Sequence, residues 1–213
     1  MPLERPIQHI NDWRVENLGI ISPDRPYTMR IIAGTAGSLP LKVPESLTRP
    51  TTDRVREAMF SSLGGRIPEA AVLDLFAGSG SLGIESLSRG ARSADFVDSS
   101  APATQIIEEN LKKTRLSGGR VHHRDVRAFI SAGSRQDAFD LIFADPPYAR
   151  DEETETRLSE LLNSEALSGI LKPSGLLVLE SFARSPLPES ILWEVAKEKI
   201  YSNTRVSYLT PAP

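Results

Sequence analysis

Two short stretches of this chain combine residue types that can do chemistry. The first is Asp145-Pro146-Pro147-Tyr148, which ends the apolar run FDLIFA. An exocyclic amino nitrogen on a nucleobase has its lone pair delocalised into the ring, so it attacks poorly. Two acceptors that grip its hydrogens pull it toward tetrahedral geometry and free the lone pair. The Asp145 carboxylate and the backbone carbonyl of Pro146 can be those acceptors. Tandem prolines fix φ, so the acceptors are held in place before the reaction begins. Tyr148 offers a flat face on which a base can stack, an interaction worth about 1–3 kcal/mol. Taken alone, Asp-Pro-Pro also reads as a stiff turn after a strand.

The second stretch is a glycine loop. Gly78-Ser79-Gly80 and Gly83 fit G-x-G-x-x-G after an apolar run, and Asp98 follows at the end of the next one. That pattern satisfies the dinucleotide fingerprint, so a nicotinamide-dependent oxidoreductase has to be weighed. Charge separates the two readings. Asp74 stands just before the loop, where it would repel a pyrophosphate and welcome a cation. S-adenosylmethionine carries an ammonium and a sulfonium and no phosphate. At ~4 Å, in a near-surface effective dielectric, one charge pair is worth up to about 4 kcal/mol before desolvation is subtracted. The sign favours the sulfonium cofactor. On this reading Asp74, Phe76, Ala77, Gly78, Ser79, Gly80 and Gly83 surround it. Asp98 meets the ribose hydroxyls with Ser99 also at the cofactor, and Asp125 with the Val126 amide meets the adenine. The simpler alternative is that Asp98 and Asp125 cap the helices that follow them.

The elements that must position these groups follow from periodicity. Residues 1–28 carry four prolines and no sustained period, and are expected to form a loose extension. MRIIAG reads as a strand, and a hairpin is expected to end near LKV. In TRPTTDRVREAMFSSL, Thr51 or Thr52 can cap a helix whose Val55, Met59, Phe60 and Leu63 recur at helical spacing. Strands are then expected at AVLDLF, ADFVD, RVHHRD, FDLIFA and GLLVLES. Helices are expected after the glycine loop, at APATQIIEENLKKTRL, at VRAFISAG, and as one helix over TRLSELLNSEALSGIL stopped by Lys172-Pro173-Ser174-Gly175. LWEVAKEKIY and TRVSYLT read as antiparallel strands closing the sheet. Alternating strands and helices mean an α/β fold with a mostly parallel sheet, all strand-to-helix loops lying on one edge. The expected units are 1–28, the hairpin and helix over 29–65, and the sheet over 66–213.

Composition sets outer bounds. The chain has 213 residues, no cysteine and a net charge of −3. Disulfides and thiolate metal sites are excluded. An acidic balance argues against a protein that coats nucleic acid with its whole surface, and leaves room for a local basic patch. No apolar run approaches the ~20 residues of a membrane span, and the reading is of a cytoplasmic monomer. His122 and His123 are adjacent on an expected strand, so they point to opposite faces and cannot share a metal.

Four stretches in order, MRIIAG, RPTTDRVREAMF, VLDLFAGSGSLGIESLSRGA and FDLIFADPPY, make the chain resemble the RsmD family of bacterial small-subunit ribosomal RNA guanine-N2-methyltransferases. The loop and the DPPY turn are common to many amino methyltransferases, whereas RPTTDRVREAMF is far more specific. The resemblance implies a class I, Rossmann-like methyltransferase sheet of seven strands with an antiparallel last strand, preceded by a small hairpin and helix. It implies S-adenosylmethionine as cofactor and 16S ribosomal RNA, or the small subunit particle, as partner. It further implies that residues of RPTTDRVRE approach the methionine carboxylate and the RNA. Thr52 and the first helical amides suit a carboxylate. Arg49, Arg54 and Arg56, with Arg30 and Lys42, suit phosphate or base edges. The competing view of each arginine is a solvated helix face with a pair to Glu57. Methylation of DNA adenine or of another RNA, and a non-catalytic RNA-binding or assembly factor, are the remaining alternatives.

Overall fold

The computed structural model describes residues 29–44, 52–132, 136–146 and 152–213. The chain opens with a hairpin, β1 (Met29–Arg30) and β2 (Pro40–Leu41), followed by α1 (Asp53–Leu63) and a 3-10 turn (Gly64–Arg66). The alternating part runs β3 (Ala71–Leu75), α2 (Ser81–Ser88), β4 (Ser93–Asp98), α3 (Ala101–Thr114), β5 (Gly119–His123), α4 (Val126–Ile130) and β6 (Phe139–Ala144). It continues with α5 (Glu152–Leu162), α6 (Glu165–Ile170), β7 (Leu171–Phe182), β8 (Trp193–Tyr201) and β9 (Thr204–Pro211). The extension expected over 1–28 lies outside the described residues.

Seven strands form one sheet in the order β5-β4-β3-β6-β7-β9-β8. β3 to β7 run parallel, and β9 is antiparallel to both β7 and β8. The order reverses between β3 and β6, so the crevice for a ligand lies beyond the carboxyl ends of those strands. A parallel strand covered on both faces must be apolar throughout, and all of β3 is buried. On one face Val72, Phe96, Phe143 and Val178 pack with Met59 and Phe60 of α1, Ile84 of α2 and Ile107 of α3. On the other, Leu73, Leu75, Val97 and Ile142 pack with Phe129, Ile130, Leu162 and Leu167 from α4, α5 and α6. Phe60 meets Phe143 with ring centroids 5.7 Å apart, seating α1 over β6.

The hairpin belongs to the first of these cores, where Met29, Ile31 and Leu41 join the sheet residues. Only two residues of the expected MRIIAG strand pair as strand, because its later amides are taken elsewhere. Ile32 and Ala33 donate to the buried Glu85 carboxylate on α2 at 2.6 and 3.0 Å. Gly34 then turns at φ +88, and a Cβ there would lie 1.9 Å from the Ser88 carbonyl oxygen. That close approach lets Thr35 N–H donate to the Ser88 carbonyl at 2.8 Å. Asn110 of α3 fastens the hairpin's other end. Its Oδ1 accepts from Lys42 N–H at 2.8 Å, while its Nδ2 donates to the carbonyls of Lys42 and Ser79, each at 3.0 Å.

One expectation needs correction. The helix expected over TRLSELLNSEALSGIL is two helices, separated at Asn163 and Ser164. Asn163 donates its side-chain amide back to the Ser159 carbonyl at 2.9 Å, the local competition with the helix ladder typical of such residues. The second helix does end at Ile170, just before Lys172–Gly175, but that segment lies within a strand. β7 begins at Leu171, and pairing passes from Phe139↔Leu171 to Leu141↔Leu176, so the KPSG segment bulges out of the ladder. Lys172 closes the bulge by donating to Asp140 Oδ1 at 2.6 Å. The two adjacent histidines do diverge: a His122 ring nitrogen lies 2.6 Å from Asp95 Oδ1, and one of His123 lies 3.0 Å from the Ser99 carbonyl.

Candidate active site

The turn after β3 doubles back through left-handed conformations at Phe76 (φ +57), Gly78 (φ +55) and Gly80 (φ +76). Only glycine adopts these cheaply, so Phe76 is the strained member. The turn's glycine amides, and that of Gly83 in α2, are engaged within the protein. Gly78 N–H donates to Asp98 Oδ2 at 2.8 Å, Gly80 N–H to the Ala77 carbonyl at 2.7 Å, and Gly83 N–H to Asp74 Oδ2 at 2.9 Å. A phosphate-binding loop would present such amides to its ligand.

Asp74 is 2% exposed. Burial pushes its carboxyl up to about 8; the Gly83 amide opposes that rise, and the charges of Asp145 and Asp98 add to it. The ends of β3, β4 and β6 thus bring three carboxylates within electrostatic reach of one another. Acids gathered in this way suit a cationic ligand, whose charge favours the ionised form of Asp74.

Several expected site residues hold other posts as well. Asp98 does not cap α3; its second oxygen, Oδ1, accepts from Ser100 N–H at 2.8 Å, and Ser100 is the cap. Asp125 is exposed and does cap a helix, accepting from Ala128 N–H at 3.0 Å at the start of α4. The Val126 side chain is buried in the α4-side core, Phe76 packs against it half-buried, and Ser99 is exposed. Thr52 caps α1, its hydroxyl accepting from Val55 N–H at 3.4 Å. Asp145 and Pro146 are half-buried at the end of β6, while Pro147 and Tyr148 lie outside the described residues.

Ser79 can meet a ligand only through its backbone. Its hydroxyl donates to Met29 Sδ at 3.2 Å and is buried under the hairpin, so only its backbone faces the turn. Gly83 serves packing: a Cβ there would lie 2.3 Å from Cε1 of Phe96. Arg56 is a correction. It is 0% exposed, its Nη2 donating to the Arg30 carbonyl at 2.5 Å and to Asp53 Oδ1 at 2.7 Å. It cannot meet nucleic acid from there. The reason is helical phase, since Arg56 shares the core-facing stripe with Met59, Phe60 and Leu63. The other cations are exposed: Arg54, Arg30 paired with Asp53 at 3.1 Å, and Lys42 paired with Glu109 at 2.6 Å. Arg49 lies outside the described residues.

Sequence reasoning passes over Glu85, Ser88, Asn110 and Glu180, all buried polar residues. The available signal is a polar residue on an otherwise apolar helical stripe or buried strand.

A family model described as conserved hypothetical protein 95 matches residues 29–210. A Bacillus subtilis protein, YlbH, is 40% identical over 166 residues, covering 76% of this chain and 88% of its own length. Ribosomal RNA small subunit methyltransferase D of Escherichia coli K12 is 34% identical over 174 residues, covering 81% of this chain and 84% of that protein. Among solved structures, a hypothetical protein of Thermus thermophilus superposes with a TM-score of 0.70 at 33% identity, over 84% of this chain and 98% of the other.

Proposed function

Since the chain belongs to the ribosomal RNA small subunit methyltransferase D family, we propose that it moves a methyl group from S-adenosylmethionine to the exocyclic N2 of a guanine in small-subunit (16S) ribosomal RNA. The observation that carries this reading is the convergence of Asp74, Asp98 and Asp145 beside a turn whose glycine amides are already used. Such a turn is poorly equipped for a pyrophosphate, whereas the acids match a ligand with an ammonium and a sulfonium. S-adenosylmethionine supplies, when bound, a methyl group made electrophilic by its sulfonium.

The chain's residues do the rest. Asp74 and the turn from Phe76 to Gly80 hold the cationic end. Asp98 keeps lone pairs for the ribose hydroxyls beyond its two backbone bonds, and Asp125 with the Val126 amide takes the adenine side. Asp145 and the Pro146 carbonyl grip the two hydrogens of N2 and free its lone pair, and Asp145 holds the hydrogen that the amine must lose. Preorganised acceptors and fixed orientation account for the acceleration. Arg30, Lys42 and Arg54 are the exposed cations offered to RNA phosphates, and Arg49 is given the same role from its place in the sequence. The proposal is of a monomer acting in the cytoplasm on ribosomal RNA or on the subunit that contains it. Among the described residues no helix is long and apolar enough to cross a membrane.

Asp145→Ala is the direct test. Its affinity for S-adenosylmethionine, measured by calorimetry, should stay close to wild type while transfer to small subunits from a host lacking the protein is abolished. Nucleoside digestion and mass spectrometry should find N2-methylguanosine in the wild-type reaction. Full activity of Asp145→Ala, or N6-methyladenine as the product, would overturn the assignment.

A further inference from the structure

One buried acid at the same sheet edge has no part in that mechanism. Glu180, near the end of β7, is 4% exposed. β7 runs parallel to β6 with Ala144 opposite Leu179, and carrying that register one residue past the end of β6 sets Asp145 beside Glu180. Neighbouring strands lie ~4.8 Å apart. Side chains alternate across a sheet, and Phe143 and Val178, two residues before Asp145 and Glu180, both face the core shared with α1. Alternation therefore puts Asp145 and Glu180 on that same side, and Asp74 of β3 joins them there two residues after Val72. The register sets Asp74 opposite Phe143, two residues behind Asp145 and Glu180, so the three acids share one face at two levels.

The chemistry of the bases gives the third acid a task. Next to the reacting N2 of guanine is N1–H, a hydrogen-bond donor. Next to N6 of adenine or N4 of cytosine, the ring nitrogen is an acceptor. A carboxylate placed beside the acid that grips the amine can therefore accept from guanine and repels the lone pair of the other two bases. Glu180 already engages a neighbour within the protein, and a carboxylate, with about four lone-pair sites, can serve a neighbour and a base together.

We infer that Glu180 determines specificity, its carboxylate accepting the N1–H of the target guanine while Asp145 holds the N2 amine. This rests on reading the chain as a guanine-N2-methyltransferase. The test uses 2-aminopurine, which keeps the amine at C2 but presents an N1 acceptor without hydrogen. Once mass spectrometry has mapped the methylated nucleotide, 2-aminopurine is placed there in a synthetic RNA reconstituted into the substrate. The wild-type enzyme should lose about ten- to hundred-fold in kcat/KM against guanine, the usual discrimination of one good base-edge contact. Glu180→Gln can turn its amide N–H toward N1 of 2-aminopurine, so its preference between the two bases should narrow or invert. Glu180→Ala should lose a similar ten- to hundred-fold on guanine, with unchanged affinity for S-adenosylmethionine showing that the fold and cofactor site are intact. Equal wild-type rates on guanine and 2-aminopurine overturn the role of Glu180 and leave the proposed function standing, a measurement that needs no variant to fold. Absence of N2-methylguanosine from every wild-type reaction overturns both.

Discussion

Asp74→Asn keeps the size of the side chain and an acceptor for the Gly83 amide, and removes only the charge. In the cofactor-free protein the carboxyl is almost wholly buried, and its protonation is pushed up to about 8. An unfolded aspartate titrates near 3.9. Between about pH 4 and 8 the folded state therefore binds a proton that the unfolded chain has released, and native stability falls as pH rises through that window. The whole shift corresponds to several kcal/mol, as an order of magnitude. Asparagine carries no such dependence. In the absence of cofactor, the variant's Tm relative to wild type should rise by on the order of 10 °C between pH 5 and pH 9, as a few kcal/mol implies for a chain of this size. A cationic cofactor favours the ionised form, so its binding to wild type near pH 7 should release a proton, and affinity should rise as pH approaches 9. The variant should bind about 10- to 100-fold more weakly, as expected for one partly buried charge pair, and without that proton release. Thermal melts across pH and calorimetry in buffers of different ionisation enthalpy supply both readings. Titration of the cofactor's own amine is common to the two proteins and cancels in the comparison. Equal cofactor affinity in the variant, or the same proton release in both, would refute the reasoning.

Gly34→Ala should cost at least ~2–3 kcal/mol in urea unfolding, because it combines a strained φ with a Cβ driven into the Ser88 carbonyl. The two nearby arginines should separate cleanly. Arg56→Ala should lower stability by about 1–3 kcal/mol, since it strips the part-buried Arg30 carbonyl and Asp53 Oδ1 of their shared donor. Arg54→Ala should leave Tm unchanged, weaken RNA binding a few-fold and reduce the slope of log K against log salt by about 1.

The strands of the sheet are legible in the sequence because a doubly covered parallel strand must be largely apolar, and AVLDLF and FDLIFA are. The glycine turn and the DPPY turn are legible because their residue types meet backbone and chemical needs that few other residues can. Periodicity fails where a side chain's partner is distant in sequence. It identifies the stripe of Val55, Met59, Phe60 and Leu63 and still leaves Arg56 on the surface, because a charged residue is expected to be solvated. Ser79 reads as part of a ligand loop; nothing local says that Met29 lies above its hydroxyl. The KPSG segment has the chemistry of a helix terminator, and only the β6 register shows it as a bulge. Glu85 and Asn110 look like ordinary polar residues until the hairpin they anchor is placed against them.

Those anchors bear on the order in which the molecule is made. The hydrogen bonds with which Glu85 and Asn110 secure the hairpin span wide gaps in the chain: 52 and 53 residues to Glu85, and 68 to Asn110. During synthesis residues 29–44 leave the ribosome well before α2 and α3 exist to receive them. Loops of that length close late, after more local contacts have formed. The segment translated ahead of the sheet is thus among the last to lock, and until then its amides and the buried carboxylate meant for them must rely on water.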